Sequence, residues 1–469
     1  MISSEKLNIV KNKEIIKKEL KIGLICPTNK YGKSATSSIY YPMGILLVGS
    51  LIKDTMPNWE VKIYDGELSN QSYLEQEVKN FDILGLSANT NNYPNCLELA
   101  LKAKESGVKK AIIGGPHATA IPKKILKNRD YIDATIVYDG EKAFLEYLIK
   151  FSESGEDFSG IKNLFWKDNG GEIKENETEL PTLPPRLNDM NFSLMDFKPY
   201  WQQHKEEFPK MSSRMIEIFT HVGCTWRTES GGCKFCDIPY PVNNYVPPGR
   251  FWRDVNEAKN KLKIGSIKDY GDCITGNPER LKALIKARPK NLEDMELSCY
   301  ARSKEITPEV ADMLKELNVK YVYIGFDSGS NPMLRSMRQG YRVDHNYKAT
   351  DLLSKRGVNI TGSLIIGVEG ETEETIAETE KFAENISKYK NITQLYCSVL
   401  NVFPGAPYGK KMLETHPELE NDDTWDVIET QKLWVKEFCK VSHEDIIKKA
   451  KDINKFNPSD RQRYFGIPK

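Results

Sequence analysis

The sequence predicts an α/β protein in which a Rossmann-like (flavodoxin-like) parallel sheet precedes a partial barrel. Two observations predict this class. Apolar segments of strand length alternate with helical segments from Lys21, and the same alternation resumes near Met215. Between the two units, residues 152–211 carry a Gly-Gly turn and the proline-rich segment TELPTLPPRLND, which predict a linker.

The first unit, residues 21–151, contains five segments of strand character: IGLIC, VKIYD, DILGLSA, KKAIIGG and ATIVYDG. Helical segments separate them, so the strands are predicted to be parallel. Sheets of this kind bind ligands outside the carboxyl ends of their strands. Residues 1–20 are Lys-rich without a long apolar segment, and they are predicted as an N-terminal helical extension.

The second unit, residues 212–407, contains six further strand segments: MIEIFT, GSIKDY, DMELSCYAR, YVYIGFDSGS, ITGSLIIG and LYCSVLNVF. Six strands that alternate with helices predict a partial (β/α)6 barrel, whose chemistry lies at the carboxyl ends of its strands. Residues 408–469 are helical in pattern, Lys-rich and polar, and they are predicted as a helical C-terminal appendage.

Composition excludes several classes of function. Lys and Arg (67) nearly balance Asp and Glu (66), so the formal charge is +1 and no nucleic-acid partner is expected. No apolar segment reaches the roughly 18 residues that span a bilayer, and no secretory signal is present, so we expect a cytoplasmic protein without a transmembrane segment. The nine cysteines are odd in number and scattered, which favours reduced thiols with at most one metal site.

The strongest chemical signal is the segment CTWRTESGGCKFC, which places Cys224, Cys233 and Cys236 on a loop directly after a predicted strand. Three thiolates fill three corners of a [4Fe–4S] cluster and leave one iron open to a small-molecule chelate, whereas an electron-transfer cluster normally takes four cysteines. A zinc site is the alternative. Zinc requires a fourth ligand, for which His221 is the near candidate.

From about residue 21 to 410 the chain resembles the radical S-adenosylmethionine (radical SAM) superfamily, in particular its members with an N-terminal cobalamin-binding domain. The resemblance implies that SAM chelates the open iron, that Phe235 lies against its adenine, and that an electron from the cluster cleaves SAM to give a radical that abstracts hydrogen from an unactivated carbon. Such chemistry is anaerobic. One departure is clear: the family places three residues between the first two cysteines, and here there are eight. Gly231 and Gly232 allow this longer loop to fold back.

The resemblance also assigns positions on later strands to SAM. Gly271 and Asp272 match the contact with the amino group, Arg302 the contact with the carboxylate, Asp327, Ser328 and Gly329 the contact with the ribose, and Gly367 a close approach of SAM. Asp327 stands where the family has glutamate, which shortens the reach by one carbon. A salt bridge at the barrel rim is the alternative interpretation of Arg302.

The first unit resembles the cobalamin domain of the same enzymes. The implied cobalamin contacts are Gly85, Ser87, Thr90, Gly114, Gly115, His117, Gly140 and Glu141. No Asp-x-His-x-x-Gly string is present, so the resemblance implies a base-off corrin without a histidine below the cobalt. The family's Gly-Glu-Gly-Glu is here Tyr138-Asp139-Gly140-Glu141. A sheet that only shapes the substrate cavity is the alternative.

The reaction that the resemblance favours is methyl transfer to a small molecule or lipid, with an electron supplied by a reductant such as ferredoxin or flavodoxin. Three alternatives stay open. The same parts support ring formation or contraction, oxidation or carbon–carbon coupling without methyl transfer. They also support radical modification of a protein or RNA. A non-catalytic sensor of cobalamin or redox state is the alternative outside enzymes.

Overall fold

The structure is a computed structural model that describes residues 19–30, 40–180, 187–238 and 243–459. Nearly all of the predicted N-terminal extension, residues 1–20, lies outside the described residues, as do residues 460–469 at the other end. None of the helices in the described ranges combines the length and the apolar character needed to cross a membrane.

The first unit is a seven-stranded sheet in the order β2-β1-β3-β4-β5-β6-β7. Its strands are β1 (Lys21–Cys26), β2 (Glu60–Asp65), β3 (Ile83–Ser87), β4 (Lys110–Gly114), β5 (Ala134–Ile136), β6 (Leu164–Lys167) and β7 (Ile173–Glu175). The first five pair in parallel, in the strand order of flavodoxin-like folds. The predicted Rossmann-like sheet is confirmed.

Helices cover both faces of this sheet. They are α1 (Met43–Thr55), α2 (Gln71–Glu77), α3 (Tyr93–Glu105), α4 (Pro116–Ala120), α5 (Pro122–Asn128) and α6 (Glu141–Ser152). Two separate apolar clusters lie on the two sides of the sheet, one around α3 and the other around α1 and α6. Both faces are therefore buried, which explains why the strands read as nearly continuous apolar segments.

The predicted linker contains more regular structure than its composition indicates. Strands β6 and β7 form an antiparallel hairpin that extends the first sheet beyond β5. The Gly170-Gly171 pair, which favoured a linker, forms the turn of this hairpin, and the Gly171 N–H donates to the Asp168 carbonyl at 2.9 Å. Helix α7 (Lys198–Glu207) follows, and its Tyr200 hydroxyl donates to Asp65 at 2.6 Å, which joins this region to β2.

The second unit is a six-stranded sheet in the order β15-β14-β13-β12-β11-β8, and all of its neighbouring strands pair in parallel. The strands are β8 (Met215–Ile218), β11 (Ser266–Asp269), β12 (Glu296–Ala301), β13 (Val319–Asp327), β14 (Asn359–Ile366) and β15 (Ile392–Val399). The short strands β9 (His221–Val222) and β10 (Asn244–Tyr245) form a separate antiparallel pair. The predicted partial (β/α)6 barrel is confirmed.

Helices α8 to α14 accompany these strands, and α15 to α17 form the C-terminal appendage. Their bounds are α8 (Thr225–Ser230), α9 (Pro248–Leu262), α10 (Pro278–Lys286), α11 (Pro308–Glu316), α12 (Asn331–Met337), α13 (Val343–Ser354), α14 (Glu373–Ile386), α15 (Pro407–Thr415), α16 (Val427–Phe438) and α17 (His443–Ile453). The appendage packs on the last strands, where Trp434 is fully buried and its indole N–H donates to the Gly367 carbonyl at 3.0 Å.

A buried carboxylate joins the appendage to the first unit. Arg129 donates to both oxygens of Asp423, with Nε to Oδ2 at 2.8 Å and Nη2 to Oδ1 at 2.9 Å. The Tyr93 hydroxyl donates to the same carboxylate at 2.6 Å, and the His117 ring lies 2.9 Å from the Asp423 carbonyl. Burial opposes ionisation of Asp423, but the hydrogen bonds from Arg129 and Tyr93 outweigh it and lower the pKa of this carboxyl. We call this contact the Asp423 clasp.

Replacing Asp423 with Asn keeps the shape of the side chain and removes its charge. We expect the free energy of unfolding to fall by about 1–3 kcal/mol at neutral pH, because Arg129 then loses its ionic acceptor. The pKa of Asp423 is lower in the folded chain than in the unfolded one, so its contribution is present above the unfolded value of about 3.9 and is lost as the pH falls through the folded value. Urea unfolding midpoints at neutral and acidic pH measure both effects.

The matched control is Asp351→Asn, which breaks an ion pair of 2.6 Å with Lys355 in which both side chains are exposed by 45% or more. This substitution should cost less than about 0.5 kcal/mol. Equal effects of the two substitutions would show that the Asp423 clasp contributes no more than a surface pair.

Candidate functional site

The cysteine loop follows the carboxyl end of β8 and is held to the neighbouring strand. The Thr220 N–H and hydroxyl donate to the two carboxylate oxygens of Asp269 at the end of β11, at 2.9 and 2.6 Å. The additional residues between Cys224 and Cys233 form helix α8. Gly231 and Gly232 end this helix with positive φ angles of 80° and 87°, a conformation that favours glycine and reverses the chain direction.

Each cysteine of the trio lies beside an arginine. Arg302 donates through Nη1 to Cys224 Sγ at 3.3 Å, and Arg338 donates through Nε to Cys233 Sγ at 2.9 Å. Arg227 donates to the Cys236 carbonyl at 2.7 Å. Burial raises the pKa of Cys233 to about 12, while the neighbouring Arg338 opposes this shift.

These residues fit a [4Fe–4S] cluster. All three thiols are free, and they share one loop. Burial alone disfavours the thiolate form of Cys233, and the same is true of Cys236. The guanidinium groups of Arg302 and Arg338 donate to two of the three sulfur atoms, and hydrogen bonds to the sulfur atoms are among the features that tune an iron–sulfur cluster.

The zinc alternative needs His221 as its fourth ligand, and this histidine is engaged elsewhere. The His221 ring accepts the Cys273 N–H at Nε2 with 3.1 Å and contacts the Thr220 hydroxyl at Nδ1 with 2.9 Å, so both nitrogens are engaged. Within the described ranges, no three side chains of His, Cys, Asp or Glu lie close enough to share one metal ion. In an iron–sulfur cluster each thiolate binds a different iron, so the three sulfur atoms do not need to meet at one ion.

Part of the predicted SAM set lies beside the cysteine loop. Arg302 contacts Cys224 and also donates to the Thr225 hydroxyl at 2.6 Å. Its ion pair with Glu305 is the rim salt bridge of the alternative interpretation, and its contact with the SAM carboxylate stays a prediction. Gly271 packs so closely on His221 that an added Cβ would lie 2.4 Å from the ring. Burial raises the pKa of Asp272 to about 6.

Asp327 reaches the loop through an arginine. The carboxylate pairs with Arg338 Nη2 at 2.8 Å, and the same guanidinium donates to Cys233. Phe235 is half-buried and packs against the apolar core of the barrel. No local pattern pointed to Arg338, because it lies far along the chain and reaches the loop only through the order of the barrel strands.

The other residues that were predicted to contact SAM pack against neighbouring elements of the barrel. Ser328 contacts the Thr379 hydroxyl at 2.9 Å, and a Cβ on Gly329 would lie 2.3 Å from the Cβ of Phe382. Both residues therefore fit the end of β13 against α14. Gly367 has a φ of 81°, and its N–H donates to Glu371 at 3.0 Å. Their contact with SAM stays a prediction.

The inner face of the barrel carries two buried charges that the sequence analysis missed. Lys268 Nζ lies 3.9 Å from the centre of the Tyr300 ring and 4.6 Å from that of Tyr323. Neither Lys268 Nζ nor Glu217 Oε1 has a hydrogen-bond partner among the described residues. Burial lowers the pKa of Lys268 to about 8 and raises that of Glu217. Lys268 and Glu217 also interact with each other electrostatically. Because buried ionisable groups with shifted pKa values often mark functional sites, the inner face of the barrel around Glu217, Lys268, Tyr300 and Tyr323, which we call the lumen, is the candidate substrate site. The sequence signal that could have identified both residues was a charged side chain within a short buried strand.

A cavity of about 270 Å³ lies at the carboxyl ends of β3, β4 and β5. Most of the predicted cobalamin contacts line it: Gly85, Ser87, Gly114, Gly115, Gly140 and Glu141. A Cβ on Gly114 would meet only a carbonyl oxygen, at 3.7 Å, so the cavity stays open there because the residue is glycine. Burial raises the pKa of Glu141 to about 7. This glycine-lined cradle fits the tail of a cobalamin better than a packed structural sheet.

Thr90 and His117 do not line this cavity. The His117 ring contacts the Thr90 hydroxyl at 3.1 Å and the carbonyl of Asp423 at 2.9 Å, so both of its nitrogens are used. Burial lowers the pKa of His117 to about 4, which keeps the imidazole neutral. This histidine belongs to the Asp423 clasp, and its contact with cobalamin stays a prediction.

Comparison with known proteins agrees with this geometry. The Radical SAM superfamily matches residues 218–383, and the B12 binding domain matches residues 34–148. The chain carries a radical SAM domain and a B12-binding domain. The two domains of this radical SAM enzyme imply a [4Fe–4S] cluster, SAM and cobalamin as its cofactors, as the resemblance predicts.

Three similar proteins cover most of the chain. An uncharacterized methyltransferase of Pyrococcus horikoshii is 25% identical over 83% of this chain and 82% of its own length. The bacteriochlorophyllide d C-12(1)-methyltransferase of Chlorobaculum tepidum is 23% identical over 83% of this chain and 78% of its own length. The radical SAM methyltransferase TsrM of Kitasatospora setae, solved with cobalamin and a [4Fe–4S] cluster bound, has a TM-score of 0.64 at 17% identity and covers 85% and 78% of the two chains. At this identity the solved structure establishes the fold.

Replacing any one of Cys224, Cys233 or Cys236 with Ala should remove most of the iron and acid-labile sulfide from the anaerobically reconstituted protein. The physical reason is that a cluster with one thiolate fewer exposes a second iron to solvent. The control is Cys397→Ala, which changes a fully buried thiol on β15. If all three variants kept as much iron as the control, the assignment of these cysteines as cluster ligands would be contradicted.

Replacing Gly114 with Leu should fill the cradle and weaken cobalamin binding at least about tenfold, which corresponds to about 1.4 kcal/mol. The control is Gly249→Leu on α9, where an added Cβ meets nothing within 4 Å. Bound cobalamin is measured by absorbance after gel filtration, and iron content should stay unchanged in both variants. Full cobalamin binding by the Gly114 variant would contradict the assignment of this cavity.

Proposed function

We propose that this radical SAM enzyme is a cobalamin-dependent methyltransferase that acts on a small molecule or lipid. The proposal rests on one observation: residues beside the cysteine loop form part of the wall of the cobalamin cradle. Phe219 and Val222, directly before the cysteine loop, line the cobalamin cradle of the first unit. The Phe219 ring lies 5.9 Å from that of Tyr270, which in turn lies 6.1 Å from that of Tyr300 in the lumen. The cradle, the cysteine loop and the lumen are thus contiguous.

When the cofactors are bound, the cluster supplies the electron that cleaves SAM and the corrin carries the methyl group. The chain's own residues hold the thiols of the cysteine loop and orient the substrate. Arg302 and Arg338 hold the thiols of Cys224 and Cys233 in place by hydrogen bonds to their sulfur atoms. The lumen offers two side chains to a substrate: the Lys268 ammonium group to an acceptor and the Glu217 carboxyl group to a donor.

The tyrosine rings suit a substrate with an apolar or planar body. Tyr300 and Tyr323 lie 5.4 Å apart at their ring centres and flank Lys268. Lys268 and Glu217 are buried, and such burial keeps water away from reactive intermediates. The methyltransferase names of the similar proteins from Pyrococcus horikoshii and Chlorobaculum tepidum support methyl transfer as the outcome.

The proposal predicts where a labelled methyl group goes. The reconstituted enzyme is incubated anaerobically with reductant, trideuteromethyl SAM and an extract of the producing cells. We expect 5′-deoxyadenosine and a labelled product in the small-molecule or lipid fraction, detected by mass spectrometry. The Gly114→Leu variant is the matched control, which should lose the labelled product because its cradle is filled.

Each alternative gives a different result in this experiment. Unlabelled new products together with 5′-deoxyadenosine would indicate a reaction without methyl transfer. Label confined to RNA or protein would move the substrate to a macromolecule. Absence of 5′-deoxyadenosine would favour a sensor over an enzyme.

A further inference from the structure

A second cavity, of about 900 Å³, lies beside the cysteine loop, away from the cobalamin cradle. Its walls come from the residues around α8 and from the segment that joins α12 to α13. The charged residues that line it are Lys234, Arg335 and Arg342, and no carboxylate is among its lining residues. We call this site the basic cavity.

One wall of the basic cavity consists of the residues that lengthen the cysteine loop. Trp226, Gly231 and Gly232 line it, and all three lie between Cys224 and Cys233. The Trp226 ring contacts Tyr341 edge to face at 5.3 Å. The eight-residue spacing that departs from the family therefore builds a concave surface, with aromatic rings beside the cations.

The charge at the rim is positive. Lys304 Nζ lies 5.5 Å from the Trp226 ring, which adds a fourth cation. Carboxylates are also near: Asp344 pairs with Arg342 at 3.2 Å, Glu369 approaches Lys234 at 3.9 Å, and the exposed Glu229 precedes the lining residue Ser230. These cations are mostly exposed, so such pairs compensate the charge only weakly. In a chain of formal charge +1, this cluster creates a local positive field.

The basic cavity is separated from the predicted cluster by one stretch of chain. Gly232 and Lys234, which line it, flank Cys233, and the Lys234 N–H donates to the Met337 carbonyl at 3.1 Å. The guanidinium of Arg338 lies 4.6 Å from the centre of the Tyr341 ring and donates to Cys233. A molecule seated in the cavity would therefore lie next to a cluster ligand.

We infer that the basic cavity and its rim dock the acidic face of a protein that delivers one electron to the cluster, of the flavodoxin or ferredoxin type. At this step the docked partner loses one electron and the cluster gains it, and no covalent bond forms or breaks. The inference rests on the radical SAM domain and is independent of methyl transfer. A concave site of limited extent suits the protruding edge of a small protein better than a nucleic acid, which needs a longer track of cations.

The test reverses two charges that touch neither the cysteine loop nor the lumen. In the double variant Arg335→Glu/Arg342→Glu, reduction of the cluster by reduced flavodoxin or ferredoxin should slow at least about tenfold at low salt, because the rim charges steer the encounter. The wild-type rate should fall with added salt, and the variant rate should depend on salt much less. Reduction by dithionite, a small reagent that needs no docking surface, should be unchanged.

A binding measurement accompanies the kinetics. Anaerobic titration of the holoenzyme with flavodoxin should show affinity weakened by a similar factor in the double variant. The neutral variant Arg335→Gln/Arg342→Gln should lie between the two. The matched control is Lys355→Glu/Lys388→Glu, which makes the same change of charge at side chains that are 67% and 63% exposed on the outer helices. This control should behave as the wild type.

Three outcomes would overturn the inference. The first is equal reduction of wild type and double variant by both proteins. The second is an equal loss with dithionite, which would show that the charges act on the cluster itself. The third is transfer RNA that binds the wild type and not the double variant, while flavodoxin binding stays unchanged.

Discussion

The site depends on one interaction, the hydrogen bonds that two arginines donate to sulfur atoms of the cysteine loop. Arg338 donates to Cys233 at 2.9 Å, and Arg302 donates to Cys224 at 3.3 Å. Burial raises the pKa of Cys233 to about 12, and the neighbouring Arg338 opposes that shift. Arg302 directly follows β12 and Arg338 directly follows α12, so the order of the barrel strands and helices brings both charges to the loop.

The same closure fixes the first unit against the barrel. The Tyr41 hydroxyl donates to the Glu217 carbonyl at 3.3 Å, which places the start of α1 on the first barrel strand. On the other side, Asp423 joins the appendage to His117 on α4 and to Arg129 at the end of α5. The cradle is thus held from both ends, with Phe219 as part of its wall. Contacts at two separate places restrict how the first unit can move against the barrel, and fixed geometry of this kind favours reactions between bound groups.

The sequence could predict features that depend on local pattern. Strand and helix alternation indicated both sheets, and the spacing after a strand indicated the cysteine loop. Contacts between distant segments could not be predicted this way. Lys268 on a four-residue buried strand, Arg338 beside Cys233, and His117 turned toward Asp423 all depend on which elements become neighbours. The hairpin of β6 and β7 was missed for a different reason, because its glycine turn has the composition of a linker.

The chain departs from the family pattern in its cysteine spacing and at Asp327, and a series of contacts connects these two places. The longer cysteine loop contributes Trp226, which packs on Tyr341, and Tyr341 lies against Arg338. Arg338 pairs with Asp327, the residue that stands where the family has glutamate. A glutamate is one carbon longer and would have to fold back to make the same pair. The longer cysteine loop reaches this guanidinium through Tyr341 and through Cys233, whereas Asp327 contacts it directly. Arg338 is therefore the residue through which both departures act on the surroundings of a predicted cluster ligand.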